Sequence, residues 1–299
     1  MSQPAAGEQR AAVAAGLGSN LIWGFVPLAF QAIARAGAGP WEILTQRIVW
    51  GAVAAAVFVA FARQWPQVAR VFREPRNLAW LALSSVLIAA NWIVFVWAVN
   101  TGHVLESSLG YYITPLVSMA AGALVFHERI GRIGWIAVAL AGAGVLLQTA
   151  ALGALPLASL ALSASFGSYG IVRKRVAVDA QSGLFIECLL LMLPSLAFIA
   201  WLQATGSGHF TASPAAAAWL IASGPITAVP LALFAWGARR MPLSAMGFMQ
   251  FISPTISFVI GAMQGEALTA LRIVSFVFIW LGAAVFVAGA IQAARRLRA

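Results

Sequence analysis

An all-α integral membrane protein with ten transmembrane helices, arranged as two inverted five-helix repeats, is the fold this sequence predicts. Composition, the spacing of charges and a match between the two halves lead there. Of 299 residues, 62% are hydrophobic and only 9% charged, and the mean hydropathy is +0.91. A soluble domain is nearer half apolar and a quarter charged, so this chain lacks the polar surface such a domain shows to water. The 18 basic residues outnumber the 8 acidic ones, giving a net charge of +10. They sit between long apolar runs instead of lining one face, which argues against a nucleic-acid partner. The single cysteine, Cys188, allows no internal disulfide and no cysteine-based metal site.

Each helix follows from the gaps between charges, because crossing the hydrocarbon core takes about 20 apolar residues. Arg10 to Arg35 brackets the first span. Its apolar run is longer than that of a signal peptide and further spans follow, so it reads as a retained helix. Ile43 to Ala62 is the second, provided Arg47 lies inside it. Asn77 to Gly102 and Glu106 to Glu128 supply the third and fourth. Arg132 to Arg173 is too long for one crossing and breaks at Leu152-Gly153-Ala154-Leu155-Pro156, giving the fifth and sixth. Glu187 to Arg239 divides at Gly206-Ser207-Gly208-His209 and Ser213-Pro214, giving the seventh and eighth. Arg240 to Glu266 and Arg272 to Arg295 complete the ten. The runs do not alternate as barrel strands would.

Orientation follows from the distribution of Lys and Arg, which accumulate on the cytoplasmic side. One alternate set of segments holds 15 of the 18 basic residues, among them Arg63, Arg70, Arg73, Arg76, Arg173, Lys174 and Arg175. The other set holds Arg35 and Arg272. Both termini are therefore expected in the cytoplasm.

At an offset of 139 residues, Phe95 falls on Phe234, Trp97 on Trp236 and Pro115 on Pro254. Ile113-Thr114-Pro115 then matches Ile252-Ser253-Pro254, and each half runs on to an acid near a helix end, Glu128 or Glu266. The repeats are placed at 11–150 and 153–292. Five helices is an odd number, so the second copy enters the membrane from the opposite side. Inverted repeats with a site between them are the architecture of secondary transporters.

Several stretches resemble the RarD permeases of the EamA branch of the drug/metabolite transporter superfamily. They are Asn91-Trp92, Trp97-Ala98-Val99-Asn100, the run Leu105-Glu106-Ser107-Ser108-Leu109-Gly110-Tyr111-Tyr112-Ile113-Thr114-Pro115-Leu116, Tyr169-Gly170-Ile171-Val172-Arg173-Lys174, Ile186-Glu187, Gly247-Phe248-Met249-Gln250 and Pro254-Thr255. The resemblance implies two inverted EamA units, a bacterial inner-membrane location and a transport role associated with chloramphenicol sensitivity. Thr114 is a departure, since the family usually has Asn before this proline; any substrate contact made by that amide is missing here.

Ionisable groups inside a span are costly, which makes each a functional candidate. Arg47, near the periplasmic end of the second helix, and Glu187, near the cytoplasmic end of the seventh, occupy matching places and could guard two mouths of one pathway. Arg47 would attract an anionic group, and Glu187 an ammonium or a proton, which makes proton coupling an expectation. The plainer alternative is that each snorkels to its interface or caps a neighbouring helix. Glu106 opens the fourth helix, where a carboxylate complements the helix N-terminus whether or not it titrates in a pathway. Pro115 and Pro254 are expected kinks, or hinges. Tyr111 and its counterpart Gln250, with Trp23, Asn91, Trp92 and Trp97, are the candidate substrate contacts, since indole faces with a few polar groups suit aromatic or amphipathic solutes.

The only lysine, Lys174, follows Arg173 and not a glycine-rich loop, so ATP does not drive the chain directly, and no cofactor is expected. The leading reading is a secondary transporter moving a small metabolite or drug-like solute by alternating access. A membrane-embedded enzyme acting on a lipid or isoprenoid is the alternative from another class. A purely structural partner would leave Arg47 and Glu187 without a role.

Overall fold

Large apolar side chains point outward and polar ones inward. Phe61, Leu124, Leu146 and Leu193 are between 69% and 85% exposed, whereas Gln46, Ser84, Asn91, Arg173 and Glu187 are buried. Lipid as the surrounding solvent reverses the usual arrangement in this way. The computed structural model describes residues 6–100, 104–152, 157–264 and 269–296, which carry twelve helices and no strand. These are α1 (Ala6–Arg35), α2 (Pro40–Phe61), α3 (Trp65–Val71), α4 (Pro75–Asn100), α5 (Val104–Val125) and α6 (Arg132–Leu152) in the first half. The second half contains α7 (Leu157–Arg175), α8 (Ala180–Ala204), α9 (Pro214–Ala238), α10 (Leu243–Gln250), α11 (Ile252–Met263) and α12 (Ala270–Arg296).

Among the described residues, six stretches are long and apolar enough to cross a membrane: Gly7–Ile33, Pro40–Phe61, Pro75–Phe95, Ala180–Ala204, Pro214–Ala238 and Leu243–Ile260. Shorter apolar stretches lie in α5, α6 and α12. The protein is thus a multi-pass helical membrane protein. The expected break at Gly153–Pro156 lies outside the described residues, as does Glu266, while the expected division between α8 and α9 is present. The basic segment after α2 contains a short helix, α3, that buries Val68 and Val71 beneath the bundle.

Local chemistry sets the helix ends. Pro40 opens α2, where its missing N–H has no helical partner to lose. Ser213 caps α9 by accepting from the Ala216 N–H at 3.1 Å, followed by Pro214. Gly37, at φ +98°, turns the chain between α1 and α2 in a conformation that disfavours side chains. The sequence places a kink at Pro254, and the structure resolves it as a break between α10 and α11. A proline cannot donate to the carbonyl four residues back, here Gln250, and its ring crowds that carbonyl. The helix is accordingly interrupted at Phe251. Pro115 faces the same penalty, yet α5 runs through it.

The principal packing partners are α6 with α12, α5 with α7, α2 with α8 and α9, α1 with α9 and α11, α4 with α7, and α10 with α5. Two main apolar cores result. One gathers α1, α2, α4, α8 and α9 around Phe234 and Leu231; the other joins α5, α6, α10 and α12 around Tyr112, Met119 and Phe276.

Candidate functional site

The helices that carry Pro115 and Pro254 meet inside the bundle. Tyr112 on α5 donates to the carbonyl of Pro254 at 3.0 Å, and Ser118 donates to Gln250 Oε1 at 2.9 Å. Gly247 makes the crossing close: a Cβ there would lie 2.7 Å from the Pro115 carbonyl oxygen and 2.8 Å from Met119. Gln250 Nε2 is buried without a hydrogen-bond partner among the described residues. Thr114 turns its hydroxyl back to the Gly110 carbonyl at 2.8 Å, a local bond that spends the side chain on its own helix.

A second group surrounds Arg47. Its guanidinium lies over Trp92 at 4.2 Å from the ring centroid and over Phe30 at 5.2 Å. Tyr111 comes within electrostatic range of it and stacks edge-on with Phe95 at 5.9 Å. Tyr111 is 41% exposed. Arg47 and Trp92 are therefore brought together with Tyr111.

Other candidates separate from this group. Asn91 donates to the Leu162 carbonyl at 2.9 Å and to Ser165 Oγ at 3.0 Å, so its amide ties α4 to α7. Trp23 packs with Phe166 and Phe234 at centroid distances of 5.5 and 5.7 Å, in an aromatic core between α1, α7 and α9. Trp97, five residues past Trp92, points about 140° away around α4 and is 46% exposed. The side chain of Glu106 lies outside the described residues, although its backbone opens α5.

Glu187 lies in a polar cluster that charge counting misses. By its place in the chain Arg173 is a loop charge, but its side chain is fully buried in the last turn of α7, with Nη1 3.4 Å from Glu187 Oε1. The carboxylate also accepts from Ser84 at 2.5 Å and Tyr169 at 3.3 Å. Gly183, one turn before Glu187, leaves room for the guanidinium; a Cβ there would overlap Nη1. Glycine four residues before an intramembrane acid is the signal in the sequence that points to this cluster. Arg173 Nη2 reaches the Ala180 carbonyl at 3.1 Å, while Nε and Nη1 lack hydrogen-bond acceptors among the described residues. The pair is therefore enclosed but incompletely satisfied.

Both ends of the bundle are tied. At the arginine-rich end, Glu128 accepts from Lys174 Nζ at 2.7 Å, the Leu243 and Ser244 N–H groups at 2.7 and 3.0 Å, and Ser244 Oγ at 2.7 Å. This acid caps α10 from another part of the chain. Burial pushes the Glu128 carboxyl up, but the bonds from Lys174, Ser244 and Leu243 together outweigh it and hold it below the usual range. Arg239 pairs with Asp179 at 3.1 Å nearby. At the opposite end, Glu42 at the start of α2 accepts from the His209 and Phe210 N–H groups at 2.7 and 3.2 Å and meets His209 Nδ1 at 3.0 Å. Gln31 and Gln264 pair there too.

Apolar helices around an intramembrane arginine, with one interrupted helix crossing α5, have the build of a membrane transporter. Residues 10–150 match the EamA-like transporter family. Protein RarD of Escherichia coli (strain K12) is 40% identical over 291 residues, 97% of this chain and 98% of that protein. An uncharacterized transporter of Vibrio cholerae is 37% identical over 286 residues, 93% of each chain. A solved structure titled only as the crystal structure of a protein matches with a TM-score of 0.69 at 19% identity, over 97% of this chain and 99% of that one, which speaks to the fold alone. The chain belongs to the EamA-like transporter family, among its RarD-type permeases. It is a membrane transporter and not an enzyme, so the lipid-processing alternative is set aside.

Proposed function

We propose that this protein is a secondary transporter of the bacterial inner membrane, moving a small aromatic or amphipathic solute by alternating access. Ten transmembrane helices in two inverted units, 11–150 and 153–292, form the path, with both termini cytoplasmic. The observation that carries this reading is the crossing of α5 and the broken α10–α11 pair, because discontinuous helices at mid-depth are where such transporters hold their cargo. The packing supports the repeat. Exchanging α1 with α7, α2 with α8, α4 with α9, α5 with α10–α11 and α6 with α12 turns α1–α9 into α7–α4 and α5–α7 into α11–α1, both of which are present. Arg47 and Glu187 each stand seven residues into α2 and α8.

The ties at the two ends are the gates in this cycle. One end opens as the Glu42–His209 contacts separate; the other opens as those of Glu128 and Arg173–Glu187 do. Opening the second gate brings Glu187 to water, where it takes up or releases a proton.

Flux in proteoliposomes tests the site. Gln250→Ala is expected to lower solute exchange at least several-fold with only a small drop in melting temperature, the loss being confined to the acceptor of the Ser118 hydroxyl, about 1–3 kcal/mol. Trp97→Ala, on a different face of α4, separates the expected substrate contact from a lipid-facing role: unaltered flux assigns it to lipid. Loss of folding together with flux in Gln250→Ala makes that residue a packing element. The topology has its own check. Reporters fused after Arg76, Lys174 and Arg240 should read cytoplasmic, and those after Gly102 and Gly208 periplasmic, given the arginine asymmetry. One reversed position breaks the ten-helix arrangement.

A further inference from the structure

Resting on the transporter reading above, we infer that Arg47 is the receptor for an anionic group on the cargo, so that the transported solute is an organic monoanion, an aromatic or apolar body carrying a carboxylate. Arg47 lies seven residues into α2, about 10 Å along the helix. A snorkelling arginine would carry its head to the interface. This one folds over Trp92, eight residues before the end of α4. The charge therefore stays at depth.

Its charge is unmatched among the described residues. Among the described residues Arg47 makes no ion pair and no hydrogen bond, and Nε is enclosed without an acceptor. The described acids are engaged elsewhere: Glu8 by Arg240, Glu42 by His209, Glu74 by Asn77, Glu128 by Lys174, Asp179 by Arg239 and Glu187 by Arg173. Arg173, the other deep arginine, shows what a paired one looks like here. Aromatic faces attract a guanidinium but accept none of its in-plane hydrogen bonds. Stacked on Trp92, Arg47 keeps the edge of its fork free, and that edge fits a carboxylate in bidentate fashion. Lysine would supply the charge without the fork. Tyr111, part-exposed and within electrostatic range of Arg47, adds a hydroxyl, and the rings of Trp92 and Phe30 offer an apolar wall for the rest of the solute.

The test uses the full chain in lipid nanodiscs and proteoliposomes. The probes are benzoate, phenylacetate and indole-3-acetate, each beside its neutral amide, with tryptamine as a cation and sodium chloride as an inorganic anion. Binding read by tryptophan fluorescence should favour at least one acid over its amide by about ten-fold or more, the scale of one charge-assisted hydrogen bond. Arg47→Gln should erase that preference while the melting temperature holds or rises. Should the glutamine variant not fold, Arg47→Lys keeps the charge and is expected to retain only part of the preference. Chloride competing as well as the acids would overturn the inference by making this an inorganic-anion site. So would flux of an amide or of tryptamine that Arg47→Gln leaves unchanged, an outcome in which the transporter reading stands. Absence of flux for every probe, with acid-selective binding still lost in Arg47→Gln, supports the anion site and counts against transport.

Discussion

Arg173→Met is expected to destabilise the protein by about 3–5 kcal/mol, the usual result of stranding one partner of a buried ion pair. Arg173 is fully buried and Glu187 2% exposed, so little water is available to solvate the carboxylate left behind. Tyr169 and Ser84 would still donate to it, but hydrogen bonds alone do not neutralise a charge at low dielectric. The double variant Arg173→Met/Glu187→Gln should regain most of the loss, because removing both ions also removes the penalty of burying them. Thermal denaturation in detergent gives both comparisons. Equal melting temperatures for the wild type and Arg173→Met would falsify the buried-pair account. Glu187→Gln alone bears on the gate: it keeps the acceptor for Ser84 but cannot titrate. It strands Arg173 and so lowers stability for the same reason, but exchange by the folded protein should persist while its response to an imposed pH gradient disappears. Wild-type flux indifferent to that gradient would make Glu187 a fixed structural partner.

Glu128→Gln should weaken the arginine-rich end through the cap on α10. Helix caps contribute about 0.5–2 kcal/mol, and here the carboxylate also holds Lys174, so the upper part of that range is expected. The pH dependence has a definite sign. The folded Glu128 carboxyl lies below its ordinary value, so its stabilisation is fully present above the unfolded carboxylate pKa, about 4.3. It is lost as pH falls through the lower folded value. The gap in melting temperature between the wild type and Glu128→Gln should therefore be constant near neutrality and close progressively in acid below that point. A gap that instead widened in acid would mean that Glu128 is held protonated in the folded state.

The helical membrane character, most span boundaries and the two proline sites are legible in the sequence alone. Each rests on a strong one-dimensional signal. Apolar runs of fixed length must cross the bilayer, and a proline removes a helical hydrogen bond wherever it falls, whether or not the helix then breaks. Even the depth of Arg47 can be read, because α2 cannot reach across without it.

What the tertiary structure alone decided is how polar groups in different helices are matched. A charge in a span announces that it needs compensation, but composition does not say whether a partner stands across the interface. Arg173 reads as a loop charge because it lies within a basic triplet; only the approach of α7 to Gly183 on α8 turns it inward to Glu187. Asn91 reads as a solute contact because an amide at mid-helix has no local use, yet α7 brings the Leu162 carbonyl within 2.9 Å. Arg47 and Glu187 look equivalent along the chain. Among the described residues packing separates them, giving Glu187 an arginine and Arg47 the faces of Trp92 and Phe30 but no acid. Spans are determined by contact with lipid, which every residue meets independently, whereas pairing depends on side chains far apart in the chain meeting at distances of about 3 Å.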